Sequence, residues 1–192
     1  MWTRQVLVPF VNYLVVLDAD GDRLLAKYYD GRTKTEQSKN EAMLHKKTKT
    51  IGAKTEAEVL LLDNEVAVYR SGVECKFYIA GPSEENELIL VGVLEVLYET
   101  VATLLRGQVD KKTMLDNLEL VLLTIDEAID HGHIMELDPT AVVSRVLMKQ
   151  SEASSSHAQA GQAIGDLSIT QALGMARDQI FRTIANPNRD GY

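Results

Sequence analysis

The stretch LDNLELVLLTIDEAIDHGHIMELDP, residues 115–139, joins an unusually apolar helix to an acidic exit. Its apolar residues recur at the i, i+3, i+4 spacing that places side chains on one face of a helix. They are Leu118, Val121, Leu122, Ile125 and Ile129. This face is predicted to pack on the core, whereas Leu120 and Leu123 point toward the opposite arc. We expect a partner protein to cover these two leucines; the alternative is cover by a later helix of the same chain.

The sequence before this stretch predicts a five-stranded sheet. Residues 6–17 are rich in valine, leucine and aromatic side chains, which is typical of a strand buried on both faces. The turn Asp18-Ala19-Asp20-Gly21-Asp22 and a return strand at 23–29 complete a hairpin. After a thin polar helix at 35–49, three short strands are predicted at 58–62, 66–70 and 73–80. The predicted fold class is therefore α+β, with a largely antiparallel five-stranded sheet.

The acidic turn at 18–22 also invites comparison with a calcium-binding loop. An EF-hand loop has its glycine at the sixth position and a glutamate at the twelfth. Here Gly21 is the fourth residue counted from Asp18. The hairpin interpretation is therefore preferred.

Three helices are predicted after the sheet. The first, at 87–105, carries apolar residues around well over half of its circumference, so we expect it to be buried on two sides. The second, at 111–130, should end at the glycine of His131-Gly132-His133. Pro139 suits the first turn of a third helix that runs to about Lys149.

The composition changes after this third helix. Residues 1–149 are predicted to form one domain, and 150–166 a flexible linker rich in serine and glycine. An amphipathic helix at 167–186 follows, and 187–192 form a tail. The apolar stripe of this helix includes Ile169, Leu173 and Ile180. A tethered helix this short is marginal alone in water, so we expect it to dock on a protein surface.

The charge is acidic overall but uneven. With 20 basic and 28 acidic residues the net charge is −8, which argues against a general nucleic-acid binder. Residues 31–54 are the exception, with seven basic and two acidic side chains, a net charge of +5. This segment predicts a solvated helix face or, alternatively, a surface turned toward anionic lipid or an acidic partner.

Motifs for catalysis, cofactors or metals are not found in the sequence. It contains no glycine-rich phosphate loop, no Cys-x-x-Cys, no H-E-x-x-H and no G-x-S-x-G. His131 and His133 are expected to meet helix-terminal carbonyls, and Asp126 and Glu127 diverge by about 100° on a helix, so they do not form an acid–base pair. The single cysteine, Cys75, favours the reducing cytosol. No catalytic, cofactor or metal residue is therefore predicted.

Targeting and membrane segments are not predicted either. Pro9 and Asn12 interrupt the first apolar run, and no small-residue cleavage site follows it. The sequence has no 18 consecutive apolar residues. We therefore expect neither a signal peptide nor a membrane-spanning helix.

Several stretches resemble the longin-like small chains of vesicle coats and clathrin adaptors, and most specifically the zeta branch of coatomer, the COPI coat. They are RLLAKYYDG at 23–31, EVLLLDNEVAVYRSGVECKFYIAG at 58–81, ENELILVGVLEVLYETVATLLR at 85–106 and TIDEAIDHGHIMELDP at 124–139. The resemblance spans nearly the whole chain. Sigma chains of clathrin adaptors share parts of it but usually stop near the end of the third helix.

The resemblance implies a non-catalytic subunit without cofactors. It implies pairing with the gamma-coatomer large chain, recruitment of the complex to membranes by an Arf-family GTPase, and a role in Golgi-to-ER retrograde and intra-Golgi transport. The implied location is cytoplasmic, peripheral on Golgi membranes and coated vesicles. The turn at 106–110 does not match the dileucine-signal pocket of sigma chains, so that pocket is not carried over.

The partner-interface candidates combine the apolar arc, the neighbouring acids, an aromatic residue and the C-terminal stripe. They are Leu120, Leu123, Asp126, Glu127, Tyr98, Ile169, Leu173 and Ile180. Two alternative functions stay open at this point. One is a clathrin-adaptor sigma-type chain, and the other is a longin module of a complex that regulates small GTPases.

Overall fold

Five antiparallel strands form the central sheet of the computed structural model, which describes residues 8–49, 56–62 and 64–157. Their order across the sheet is β2-β1-β5-β4-β3. The strands are β1 (Tyr13–Asp18), β2 (Arg23–Tyr28), β3 (Glu58–Leu61), β4 (Glu65–Ser71) and β5 (Cys75–Pro82). The predicted α+β class and five-stranded antiparallel sheet are therefore confirmed.

The sheet is covered on both faces, and β1 shows why. All six of its residues are buried, as expected for a run of bulky apolar side chains. Alternate residues point to opposite sides, so Leu14 and Val16 enter one apolar cluster while Tyr13 and Val15 enter the other. Helices therefore lie on both faces of the sheet.

Helix α1 (Lys34–Thr48) covers one face thinly. It begins with a capping box, in which Thr33 accepts a hydrogen bond from the backbone N–H of Glu36 and the Glu36 carboxylate accepts one in return. Leu44 is fully buried against the sheet, and the hydroxyl of Thr48 lies 2.7 Å from that of Tyr78. A few well-placed contacts therefore hold an otherwise polar helix.

The opposite face is covered by α2 (Glu87–Leu104) and by a second helical segment that differs from the prediction. The predicted helix at 111–130 is divided into α3 (Lys111–Asp116) and α4 (Leu118–Ala128). Asn117 separates them with φ −120° and ψ 31°, and its side-chain amide donates to the carbonyl of Thr113. The prediction of one continuous helix is therefore wrong at Asn117.

The end of that segment also differs. Two short strands, β6 (Ile129–Asp130) and β7 (His133–Ile134), form a small hairpin. Its turn residues His131 and Gly132 both have positive φ, 48° and 84°, as in the tight turns of two-residue hairpins. A Cβ on Gly132 would lie 2.4 Å from the ring of Phe10, so glycine is required here by contact as well as by conformation. The glycine closes a hairpin and does not cap a helix.

Helix α5 (Pro139–His157) is the predicted third helix, but it continues past Lys149. The first residues of the predicted linker are therefore helical. The rest of that linker, the helix expected at 167–186 and the tail at 187–192 lie outside the described residues. The division of the chain into domains consequently stays a prediction.

The β1–β2 turn is organised by the buried carboxylate of Asp18. One oxygen accepts hydrogen bonds from the N–H groups of Asp20 and Asp22, at 3.0 and 2.8 Å. The other lies 2.6 Å from the ammonium of Lys111 at the start of α3. Burial opposes ionisation of Asp18, but Lys111 and the two N–H groups outweigh it and hold the pKa of the carboxyl below its usual value. Asp18 therefore ties the hairpin to the helical layer.

We expect Asp18→Asn to lower the free energy of unfolding by about 1.5–3 kcal/mol at neutral pH, since it removes charge-assisted hydrogen bonds. The folded-state pKa lies below the unfolded value of about 3.9, so the contribution is complete above that pH and is lost as the pH falls through the folded-state pKa. Urea unfolding of both proteins as a function of pH should show the difference shrinking below about pH 4.

The control for this prediction is Asp20→Asn, in the same turn, where the carboxylate is exposed. It should change the free energy of unfolding by less than about 0.5 kcal/mol at any pH. Equal losses in the two variants would contradict the role assigned to Asp18.

Candidate partner-binding surface

Helix α2 is buried on two sides, as its sequence predicts. Toward the sheet, Leu90, Leu94 and Leu97 belong to the main apolar cluster. Away from the sheet, Val96 packs with Val142 and Val146 of α5 in a separate, smaller cluster. The second side of α2 is therefore occupied by a helix of the same chain.

Leu120 and Leu123 lie on the second side as well. Both are half-buried and pack against the cluster of Val96, Val142 and Val146. The sequence correctly groups them on the arc that faces away from the main core. Helix α5, a later helix of the same chain, partly covers them, as the alternative interpretation expected. These leucines are therefore not a fully exposed surface for a partner.

The adjacent acids of α4 have different surroundings. Asp126 is about half-exposed and forms an ion pair with Lys27 of β2. Glu127 has a side chain only 9% exposed; it pairs with Lys149 of α5 and lies 3.8 Å from the guanidinium of Arg145. Glu127 therefore fastens α5 to α4, whereas Asp126 retains an accessible side.

Tyr98 is partly buried beside the main cluster. It packs against the main cluster, meets Phe77 edge-on at 5.4 Å between ring centroids, and lies 3.9 Å below the guanidinium carbon of Arg70. Arg70 in turn pairs with Glu95 of α2. This stacking supports the attachment of α2 to β4. The last three interface candidates, Ile169, Leu173 and Ile180, lie outside the described residues.

Other apolar side chains remain exposed, and they are not among the residues predicted from the sequence. Leu147 is 48% exposed and lies on the side of α5 turned away from Val142 and Val146; Leu137, in the segment before α5, is 52% exposed. Elsewhere, Leu61 of the edge strand β3 and Leu88 in the first turn of α2 are each 75% exposed. The one sequence signal for the exposure of Leu147 is the periodicity of α5, in which Val142 and Val146 at i and i+4 mark the buried side.

The described residues offer little chemistry for catalysis. Burial, followed by the nearby Glu74 and Asp110 carboxylates, raises the pKa of Cys75 to about 12, so its thiol is protonated at neutral pH. His131 and His133 lie on the β6–β7 hairpin, and no group of three potential metal ligands occurs in the described part of the chain. Among the same residues, no helix is long and apolar enough to cross a bilayer.

We expect Glu127→Gln to weaken the attachment of α5 and to lower the free energy of unfolding by about 1–2 kcal/mol. The variant leaves Lys149 without its carboxylate and Arg145 with Glu136 alone. Asp126→Asn, its matched neighbour, removes only an exposed pair and should cost less than about 0.5–1 kcal/mol. Hydrogen exchange across residues 139–150 should accelerate in the first variant alone. Equal exchange in both variants would contradict the assignment of Glu127 to the α4–α5 contact.

Comparisons with known proteins agree with this architecture. The family model described as "Clathrin adaptor complex small chain" matches residues 10–153. Coatomer subunit zeta-2 of Arabidopsis thaliana is 37% identical over 178 residues, which are 92% of this chain and 96% of that protein. Coatomer subunit zeta-1 of Homo sapiens is 36% identical over 172 residues, 88% of this chain and 90% of that protein.

A structural comparison supports the same fold. A chain in a homology model of the full-length AP-3 complex superimposes with a TM-score of 0.62 over 79% of this chain and 100% of that chain, at 12% sequence identity. At this identity the likeness concerns the fold alone, and it supports the longin-like arrangement of sheet and helices. The chain therefore belongs to the clathrin adaptor complex small chain family and, within it, groups with the zeta subunits of coatomer.

Proposed function

We propose that the chain acts as a zeta-type small subunit of the coatomer coat. The observation that carries this proposal is the 36–37% identity to coatomer zeta subunits over about nine-tenths of the chain. In this role it is a structural, non-catalytic protein of Golgi-to-ER retrograde and intra-Golgi vesicle transport. It works in the cytoplasm, peripherally on Golgi membranes and coated vesicles.

The proposed direct partner is the gamma-coatomer large chain, and contact with an Arf-family GTPase occurs through the complex. The one cysteine thiol of this chain is buried and protonated, and exposed leucines near α5 offer apolar surface for association. This supports a subunit that contributes by association.

The proposed contact surface is the side of the molecule around α4 and α5. It includes the accessible parts of Leu120, Leu123 and Asp126, and the exposed side chains of Leu137 and Leu147. Helix α5 is held by a small apolar cluster and by ion pairs, while Leu147 still faces solvent. Cover by a large chain would bury this apolar side chain and stabilise α5.

A clathrin-adaptor sigma chain is the second candidate, because the matching family model is named for clathrin adaptors and the fold is shared with an AP-3 chain. The two candidates differ in the large chain that each binds. Identification of the co-purifying proteins by mass spectrometry distinguishes them: recovery of gamma-coatomer supports the proposal, and recovery of adaptor large chains contradicts it. Stimulated nucleotide release by the purified complex would instead support a module that regulates small GTPases.

The contact surface is tested by Leu137→Asp combined with Leu147→Asp. Burial of two leucines at an interface is worth up to roughly 3–6 kcal/mol before ordering costs, so we expect recovery of gamma-coatomer to fall at least about 100-fold. Both side chains are about half-exposed in the chain, so the variant should remain folded. Substituting Leu120 and Leu123 would disturb α5 itself and is a less direct test.

The matched control is Leu61→Asp combined with Leu88→Asp, which changes two exposed leucines outside α4, α5 and the segment that joins them. It should retain the partner. Undiminished recovery by the folded Leu137, Leu147 variant would overturn the proposed contact surface, even if coatomer membership is confirmed.

A further inference from the structure

Helix α1 carries a row of lysines on the side that faces away from the sheet. Its buried side is formed by Asn40, Glu41, Leu44 and Thr48. On the opposite side, exposed residues recur at alternating intervals of four and three, which places them on one face. They are Thr35, Lys39, Ala42, Lys46 and Lys49. Lys34 and Lys47 flank this row and are also exposed. We call these five cations, Lys34, Lys39, Lys46, Lys47 and Lys49, the lysine face.

The acidic side chains of α1 do not neutralise the lysine face. Glu36 is committed to the N-terminal cap at Thr33. Glu41 is buried, accepts a hydrogen bond from Tyr28 and pairs with Arg23 at 2.5 Å. Within the described residues, none of the five lysines forms an ion pair. The outward side of α1 therefore carries positive charge that the acids of the helix do not neutralise.

Helix stability explains only part of this pattern. Lys46, Lys47 and Lys49 lie at the C-terminal end of α1, where cations interact favourably with the helix dipole. Lys34 occupies the first turn, where a cation is unfavourable, and Lys39 lies near the middle of the helix and gains nothing from the dipole. These two lysines need another explanation.

The charge asymmetry extends over the whole chain. The segment 31–54 has a net charge of +5 in a protein of net charge −8, which leaves −13 for all other residues. The acidic β1–β2 turn meets α1 at its flank, where Gly21 approaches the ring of His45. A negatively charged surface would therefore attract the lysine face and repel most of the remaining protein.

The type of cation indicates what kind of surface binds. Protein–protein interfaces are depleted in lysine and enriched in arginine and aromatic residues, and the lysine face contains neither. Lysine acts as a hydrated point charge on a flexible stem, which suits a diffuse layer of anionic headgroups better than a bidentate contact. Small residues, Thr35, Ser38 and Ala42, lie between the lysines, so the ammonium groups extend farthest from the helix.

We propose that the lysine face of α1 binds the surface of membranes that contain anionic phospholipids. Lys39, Lys46 and Lys49 extend over about 15 Å along the helix, so several headgroups can be contacted at once. The outward side of α1 offers no large apolar side chain for insertion, and attraction is electrostatic. Each lysine contributes a factor of about five to binding, so the contact is weak alone and depends on salt. This membrane contact goes beyond partner binding, and it does not depend on which large chain pairs with this one.

The test is flotation or co-sedimentation of the full-length chain with phosphatidylcholine vesicles that contain or lack phosphatidylserine, at low and at roughly 0.15 M ionic strength. We expect binding only to the phosphatidylserine vesicles, with a decrease at the higher salt. Lys39→Glu combined with Lys46→Glu should weaken this binding by about 25-fold or more, from the same factor per lysine.

The matched control is Arg106→Glu combined with Lys112→Glu, which makes the same change in net charge on exposed residues outside α1. It should retain most of the binding. Lys39→Gln combined with Lys46→Gln gives a milder second variant, and thermal unfolding verifies that each protein is folded.

Three results would overturn the proposal. The wild-type chain could fail to bind phosphatidylserine vesicles at low salt, or the two glutamate variants could lose binding equally. The chain could also bind poly-L-glutamate through Lys39 and Lys46 without binding the vesicles, which would assign the lysine face to an acidic protein.

Discussion

The burial of α2 on two sides is the contact on which the helical layer depends. Its leucines cover β4 and β5, and Val96 on the other side provides the surface on which α5 rests. Helix α4 packs beside α2 and supplies Leu120, Leu123 and Glu127 to the same seam. Since apolar burial scales with the area removed from water, a helix that is apolar on both sides can join two layers. Without α2, α5 would keep only the half-buried leucines of α4 as apolar support.

Local patterns predict the parts of this fold that local physics determines. The fully buried β1, the alternating sheet, the thin cover by α1 and the double burial of α2 all follow from the spacing of apolar residues. The break at Asn117 does not, because asparagine is tolerated within helices and the neighbouring apolar periodicity is unchanged. The His131-Gly132 turn was predicted as a helix end because glycine serves both roles; its close contact with Phe10, far away in sequence, decides between them.

The partner surface shows a different limit of sequence reasoning. Periodicity correctly placed Leu120 and Leu123 on one arc, and adjacent spacing correctly separated Asp126 from Glu127. It could not determine what covers that arc, because a helix of the same chain and a helix of another chain bury leucine by the same physics. Cover by α5 depends on the path of the chain after Pro139, which is long-range information. The apolar surface of this arc that stays exposed for a partner is correspondingly smaller than the sequence suggests.

The helices on the two faces of the sheet differ in polarity, and this difference determines which kind of surface each side can bind. Toward α2, α4 and α5 the layer is apolar and thick, with Leu147 still exposed at its outer side. Toward α1 the cover is one polar helix, whose outward side is cationic while its own acids are held inward or at its cap. An apolar surface gains from association with protein, and a lysine-rich surface from an anionic environment. Because the sheet separates them, both contacts can be made at once without competition for the same residues.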